Sequence, residues 1–179
     1  LIINYFSLAA DQNHLLAQFY LGIIYYDGKY ITRDINKSIH YFSLAANQNH
    51  SQAQFNLGLI YYDGKYITRD INKSIHYFSL ASNQNHSQAQ YNLGLNYYDG
   101  KYITRNIDKA IHYFSLAANQ NHSQAQFYLG SIYYEDQYIT RDIDKAIHYF
   151  SFAANQNHLN AQLNLGSIYY EDQYITRDI

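Results

Sequence analysis

A period of 36 residues runs through the sequence and decides how every other residue is interpreted. The segment YFSLAA begins at Tyr5, Tyr41, Tyr77 and Tyr113, and a near copy, YFSFAA, begins at Tyr149. A chain with such a period folds as an array of units, in which each unit packs only against its neighbours. We predict a partial repeat at 1–13, full repeats at 14–49, 50–85, 86–121 and 122–157, and a partial repeat at 158–179.

Both ends of the sequence fall inside a repeat. Leu1 aligns with Lys37 and is not a methionine. Ile179 aligns with Ile143. We therefore expect a piece of a longer polypeptide. Because such a piece leaves apolar surface unpaired at its ends, end-to-end self-association of the fragment is also expected.

The first half of each repeat predicts an amphipathic helix, which we call helix A. Ala53, Leu57 and Tyr61 lie at spacing i, i+4 and i+8 and form one apolar stripe. Ser51 and Gln54 have the form of a capping box, in which the two side chains satisfy backbone donors of the first turn. Helix A is therefore predicted to begin at the serine.

The second half of each repeat predicts a second amphipathic helix, helix B. Asp70 is a favourable N-cap residue, and Asn85 is suited to the left-handed conformation that ends a helix. Between them, Ser74, Phe78 and Ala81 form a stripe of small and large side chains.

The short connections between these helices require antiparallel neighbours. Each unit is thus an αα-hairpin, and the predicted fold is an all-α solenoid with no sheet. The predicted helices span 1–12, 15–27, 34–48, 51–63, 70–84, 87–99, 106–120, 123–136, 142–156 and 159–172.

The order and spacing of these positions resemble the Sel1-like repeat, a relative of the tetratricopeptide repeat. That family's pattern runs AxxxLGxxYxxG, a loop, and DxxKAxxYYxxAAxxG. It is matched here by Ala53, Leu57, Gly58, Tyr61, Gly64, Asp70, Lys73, Tyr77, Phe78 and Ala81. The resemblance implies a right-handed α-α superhelix of two-helix repeats in which helix A lines the concave wall. It also implies an adaptor or scaffold for protein partners.

The sequence departs from the family pattern at two places. Asparagine replaces the glycine that ends helix B, at Asn13, Asn49, Asn85, Asn121 and Asn157. Asp136 and Asp172 stand where other copies have Gly28, Gly64 and Gly100 at the end of helix A. Because aspartate tolerates positive φ less well than glycine, we expect a reshaped loop at these two positions.

Charge and composition exclude several classes of function. The formal net charge is −2 and no Lys/Arg cluster occurs, so nucleic acid is not an expected partner. Apolar runs are shorter than the roughly 20 residues of a membrane-spanning helix, so membrane insertion is not expected. The absence of cysteine excludes disulfides and thiol catalysis and leaves the compartment open.

Histidine recurs in two registers of the repeat. No HxxxH or HExxH pair places two imidazoles on one helical face, so we expect neither a metal nor another cofactor. The alternative is that these side chains are exposed or pack at turns. The registers are His40, His76, His112 and His148 in helix B, and His14, His50, His86, His122 and His158 before helix A.

Catalysis within the array is not expected. Asp27, Asp63, Arg33 and Arg69 recur with the repeat, whereas an active site needs a unique convergence of groups. One enzymatic subgroup of the Sel1-like repeat family, which this sequence resembles, is cysteine-rich. This sequence has no cysteine. The alternative function is a non-catalytic repeat region of a larger multidomain enzyme, with the chemistry outside these residues.

A candidate binding surface follows from positions of helix A that differ between copies. These positions share one helical face, and the second tyrosine of each YY pair lies at its end as an expected exposed anchor. With helix A on the concave wall, they predict a groove for an extended peptide or helix, best suited to a polar, uncharged segment. For each tyrosine, packing against the next repeat remains the alternative. The predicted residues are Tyr26, Gln52, Phe55, Asn56, Leu59, Tyr62, Gln88, Tyr91, Asn92, Leu95, Tyr98, Gln124, Tyr128, Ser131 and Tyr134.

Overall fold

The structure is a computed structural model that describes residues 2–135, 137 and 139–175. The described residues form helices and connecting turns without a strand, which confirms the all-α prediction. Each helix boundary lies within three residues of its predicted place. The helices are α1 Ile2–Asp11, α2 Leu15–Asp27, α3 Ile35–Asn47, α4 Ser51–Asp63, α5 Ile71–Ser82, α6 Ser87–Asp99, α7 Ile107–Ala118, α8 Ser123–Glu135, α9 Ile143–Asn155 and α10 Leu159–Ile175.

The chain divides into two compact units, Leu1–Ala89 and Gln90–Ile179. In the first unit, α1 to α5 pack successively against one another. In the second unit, α7 to α10 do the same. The even-numbered helices correspond to helix A and the odd-numbered helices to helix B.

Close contact between helices A and B depends on one glycine in each repeat. In the first unit, a Cβ atom at Gly22 would lie 2.5 Å from Cδ1 of Phe42, and a Cβ atom at Gly58 would lie 2.5 Å from Cδ1 of Phe78. Both phenylalanines are buried. The absent side chain therefore makes room for the aromatic ring that fills the hairpin. Gly130 and Phe150 repeat the contact in the second unit.

The predicted apolar stripes are confirmed. Ala53, Leu57, Phe78 and Ala81 are almost fully buried, and so is Ser74. Full burial of a large apolar side chain contributes about 1.5–3 kcal/mol, so these stripes supply much of the stability of each hairpin.

The start of helix A is capped by histidine, so the predicted Ser–Gln capping box is wrong. Nδ1 of His50 accepts a hydrogen bond from the backbone N–H of Ala53 at 3.2 Å, while Ser51 is already helical. Gln54 is buried and turns toward the preceding helix. Because this contact does not use the serine, it also caps the helices that begin with leucine in place of serine. It recurs at His14, His86, His122 and His158.

A buried glutamine, Gln54, joins three helices in the first unit. Nε2 of Gln54 donates to the carbonyl of Ala46 at 3.1 Å, and its Oε1 accepts from Nε2 of Gln84 at 2.6 Å. The ends of α3 and α5 are thereby linked to the first turn of α4. The amide pair recurs as Gln18 with Gln48, Gln90 with Gln120 and Gln126 with Gln156.

The other predicted helix ends are confirmed where the structure describes them. Asp70 caps α5 by accepting from the N–H of Lys73, and Asn85 has φ of 59°. Gly64 ends α4 with φ of 61°. The expected loop at Asp136 lies outside the described residues. At position 172, the backbone of α10 continues helically to Ile175 instead of ending, so a positive φ is not needed there.

Candidate functional site

In the first four YY pairs the first tyrosine packs inside its own hairpin, whereas Tyr169 in the last pair is exposed. Tyr25 stacks on Tyr41 with ring centroids 5.7 Å apart, and Nζ of Lys37 lies 5.1 Å from the Tyr25 ring centroid. Tyr61 and Tyr77 repeat the stack at 5.9 Å. These tyrosines hold helices A and B of one repeat together, so these stacks lie within a repeat and not against the next repeat.

In the first four YY pairs the second tyrosine is half-buried, not exposed as expected, whereas Tyr170 in the last pair is exposed. In the second unit, the ring of Tyr98 lies 6.3 Å from Phe114 and 5.6 Å from Tyr128, edge-on to both. The ring of Tyr134 lies 6.4 Å from Phe150, and its hydroxyl donates to Oε2 of Glu171 at 3.1 Å. Removing either ring would therefore reduce the stability of the fold as well as the area available for binding, because each ring covers a core phenylalanine.

Most of the other predicted surface positions are partly accessible. Gln124 is exposed, whereas Phe55 is buried and stacks on His86 at 4.6 Å, so Phe55 contributes packing. The half-buried positions are Tyr26, Gln52, Asn56, Leu59, Tyr62, Gln88, Tyr91, Asn92, Leu95, Tyr98, Tyr128, Ser131 and Tyr134.

A cavity of about 220 Å³ lies between α2 and α4 in the first unit. It brings together Tyr26, Asn56 and Leu59, which the sequence singled out. Its other lining residues were not predicted as part of the binding surface, since Asp27 and Asp63 recur with the repeat and so carry no signal of a binding role. The full lining is Ile23, Tyr26, Asp27, Phe42, Asn56, Leu59, Ile60 and Asp63.

Burial and a neighbouring carboxylate act on the hydroxyl at the edge of this cavity. Desolvation, followed by the charge of Asp63, raises the pKa of Tyr26. The edge of the Tyr66 ring packs on Tyr26 with centroids 6.4 Å apart. Tyr26 therefore stays a neutral hydrogen-bonding group at physiological pH.

The second unit fills the corresponding space with an aromatic ring. Tyr128 occupies the repeat position of Asn56, and its ring stacks on Phe114 with centroids 5.1 Å apart and planes 12° apart. Tyr91 packs against the same ring at 5.9 Å, and burial raises the pKa of Tyr91. The residue at this position of helix A is thus a small amide beside the open cavity and an aromatic ring where the corresponding space is filled.

The helix B histidines are exposed and rest edge-on against the following tyrosine, as His40 does on Tyr41 at 5.2 Å. Within the described residues, no group of three or more His, Asp or Glu side chains is arranged to hold a metal ion. Nor does any helix among them have the length and apolar character needed to cross a membrane.

The family model of the Sel1 repeat matches the chain in six segments. These are residues 3–14, 15–50, 51–86, 87–122, 123–158 and 159–179. The chain belongs to the Sel1 repeat family. Proteins with Sel1 repeats are all-helical solenoids that generally act as scaffolds for protein–protein interaction.

Solved structures of Sel1 repeat proteins are similar to this chain. A Sel1 repeat protein from Oxalobacter formigenes is 32% identical with a TM-score of 0.80, and the match covers 93% of this chain and 68% of that one. A protective antigen present in uropathogenic Escherichia coli strains, displaying an SLR fold, is 28% identical with a TM-score of 0.85. That match covers 94% of this chain but 36% of the antigen, so this Sel1 array spans about a third of the antigen's length.

A more distant likeness is to Helicobacter pylori cysteine rich protein B. It is 26% identical with a TM-score of 0.53, and the match covers 69% of this chain and 88% of that one. Comparison with curated proteins returns no match. The family and the fold therefore rest on the repeat model and on the solved structures.

Proposed function

We propose that this Sel1 array is a non-catalytic scaffold that binds a peptide segment or helix of a protein partner on the helix A faces of its repeats. Family membership supports the general role, because Sel1 repeats generally mediate protein interactions. The half-buried Tyr, Asn and Gln side chains of helix A support the choice of face. This face differs between copies, whereas the residues that join the helices recur.

The hydrogen bonds that fix helix A at its ends and to its neighbours are the observation that carries the proposal. In α4, His50 caps the first turn and Gly64 ends the last turn in the left-handed conformation. Gln54 ties the helix to both adjacent B helices. Because the backbone of such a helix is already ordered, binding a partner does not have to order it, which lowers the entropic cost of association.

Tyrosine supplies contact area on this face at low entropic cost. Tyr26 and Tyr98 are held in place by neighbouring aromatic rings, so their orientation is set before a partner arrives. Tyrosine is among the residues enriched in binding hot spots because its ring is rigid and its hydroxyl is polar. The amide side chains around these tyrosines have a different use. They adapt their hydrogen bonds to a polypeptide backbone.

Site-specific photo-crosslinking tests the choice of face with little disturbance of the fold. A photoreactive amino acid is placed at Gln124 on α8, which is exposed, or at His112 on α7, which is exposed on helix B of the same unit. We expect crosslinks to a protein partner from position 124 and not from position 112. Crosslinks only from position 112 would assign binding to helix B and overturn the proposal.

A further inference from the structure

We propose that the cavity between α2 and α4 receives one aliphatic side chain of a partner's peptide segment, and that a lysine or arginine lies beside that side chain. This inference rests on the proposed function and specifies the chemistry of the segment. It assigns to the contact between two successive repeats a selectivity that the repeat motif itself does not have.

The size and lining of the cavity favour a side chain over a cofactor. Its volume of about 220 Å³ is below the roughly 300–1,000 Å³ of sites for small molecules. Ile23, Leu59, Ile60 and the ring of Phe42 supply apolar walls. Burying an aliphatic side chain against such walls removes apolar surface from water on both partners, which favours association.

A single small residue keeps the cavity open. Oδ1 of Asn56 accepts from Nε2 of Gln52 at 3.2 Å, so the amide is held along its own helix. In the second unit, the ring of Tyr128 stands at this repeat position and lies 5.1 Å from Phe114, the counterpart of Phe42. The array therefore contains its own example of a closed site, and the substitution that closes it is compatible with the fold.

Two carboxylates line the mouth of the cavity, while Arg33 and Lys65, which act electrostatically on Tyr26, are not among its lining residues. Asp27 and Asp63 line it, and they are the last residues of α2 and α4. Both aspartates are exposed, so a partner can reach them.

The nearby arginines are engaged with main-chain and hydroxyl oxygens. Arg33 donates from Nε to the carbonyl of Tyr26 at 2.7 Å and from Nη2 to the carbonyl of Asp27 at 3.1 Å. Its Nη1 donates to the hydroxyl of Tyr66 at 2.6 Å. Arg69 donates in the same way to the carbonyls of Tyr62 and Asp63.

A cation on the partner is therefore complementary to this mouth. Lysine or arginine beside the inserted side chain would approach the carboxylates of Asp27 and Asp63, while an acidic residue would be repelled. This segment differs from the polar, uncharged one expected from the sequence, because that expectation did not include the two aspartates. Because the carboxylates are exposed, they set selectivity and salt dependence more than total affinity.

Selection from a phage-displayed library of random dodecapeptides tests the inference on the whole chain. We expect enriched peptides to carry Leu, Ile, Val or Met next to Lys or Arg. For a synthetic peptide of the enriched sequence, Asn56→Tyr should weaken binding at least about tenfold, by filling the cavity as Tyr128 does. Asn164→Tyr, the same change at the same repeat position in α10, is the matched control and should leave affinity unchanged.

Neutralising the mouth provides a second variant. Asp27→Asn with Asp63→Asn should weaken the same peptide a few-fold at low salt and reduce the dependence of its affinity on salt. If Asn56→Tyr does not fold, methyl NMR of the unaltered chain decides the matter, because the peptide should shift the methyl signals of Ile23, Leu59 and Ile60.

The outcomes separate this inference from the proposed function. No enriched peptide, an acidic consensus, or equal affinity for the Asn56→Tyr and Asn164→Tyr variants would overturn the cavity assignment. If crosslinking from Gln124 still captures a partner in those cases, the scaffold proposal stands without the cavity. If the peptide selection and the crosslinking from position 124 both fail, the cavity assignment and the scaffold proposal are both overturned.

Discussion

Nδ1 of His50 accepts a hydrogen bond from the N–H of Ala53 at 3.2 Å, and this contact begins α4. Only an unprotonated Nδ1 can accept, so the cap requires a nitrogen that carries no proton. The imidazole also packs on Phe19 with ring centroids 4.4 Å apart. The start of helix A is thus coupled to the protonation of a histidine that other residues partly bury.

Acidification should destabilise the array through these histidines. Burial lowers the pKa values of His50, His86 and His122 from the ordinary 6.5. Since the unfolded chain then binds protons more readily, stability is fully present above about pH 6.5 and declines as pH falls from there toward the lowered pKa values. Thermal melts between pH 8 and pH 5 measure the decline.

Asparagine at the same positions provides the comparison for this pH effect. The triple variant His50→Asn, His86→Asn and His122→Asn keeps a capping side chain but loses the titrating group, so its melting temperature should depend less on pH over this range. A control triple variant at His40, His76 and His112 should behave as the unaltered chain does. Equal pH profiles for all three proteins would refute the role of the caps.

Two serines at the same repeat position should respond differently to alanine. Oγ of Ser38 donates to the carbonyl of Gly22 at 2.8 Å, whereas the buried Oγ of Ser74 has no hydrogen-bond partner among the described residues. Ser38→Ala should cost about 1 kcal/mol of unfolding free energy, while Ser74→Ala should be neutral or stabilising. Alanine already occupies this position at Ala110. Urea titrations measure both, and equal losses would contradict the difference.

Glycine to alanine should have opposite effects in two copies of helix A. A Cβ atom at Gly58 would lie 2.5 Å from the ring of Phe78, so Gly58→Ala should cost about 1–3 kcal/mol through overpacking. Nothing lies within 4 Å of the same atom at Gly166, so Gly166→Ala should gain up to about 1 kcal/mol from helix propensity. Denaturant midpoints test the pair, and a gain at both positions would show that the ring moves aside.

One buried amide marks a place where the array can be stabilised. Asn96 is 8% exposed where other copies have isoleucine, and Ile60 is 6% exposed at its own position. Nδ2 of Asn96 donates to the carbonyl of Asn92 at 2.8 Å. This hydrogen bond only partly offsets the free-energy cost of burying the amide. Asn96→Ile should raise unfolding free energy by about 1 kcal/mol. A lower melting temperature would mean that the amide has an essential partner.

The sequence predicted the features that depend on one repeat alone. Helix limits, the stripe around Leu57 and the left-handed asparagine at Asn85 follow from local periodicity and backbone preference, and the structure confirms them. The cap at His50 was missed because a serine in the next position matched a familiar capping motif. Gln54 was assigned to that motif, although its partners, Ala46 and Gln84, lie on the two adjacent helices.

The cavity depended on information that periodicity does not contain. Its openness results from the side-chain volumes at two helices, Asn56 on one and Ile23 on the other, above the ring of Phe42. The sequence marked Asn56 as variable between copies but gave no means to tell that Tyr128 fills the same space in the second unit. Residue size across neighbouring repeats, more than repeat identity, shapes the surface.

The amide pairs have a consequence for the length of the chain over evolutionary time. Gln54 with Gln84 and Gln126 with Gln156 make the same hydrogen bond at 2.6 Å and 2.7 Å. These contacts between successive repeats, called joints here, are therefore interchangeable. A gene duplication or deletion of one whole period preserves every joint, whereas an insertion of a few residues between partners would separate them. Unequal recombination between near-identical copies can therefore lengthen or shorten this protein in whole repeats without creating a new interface.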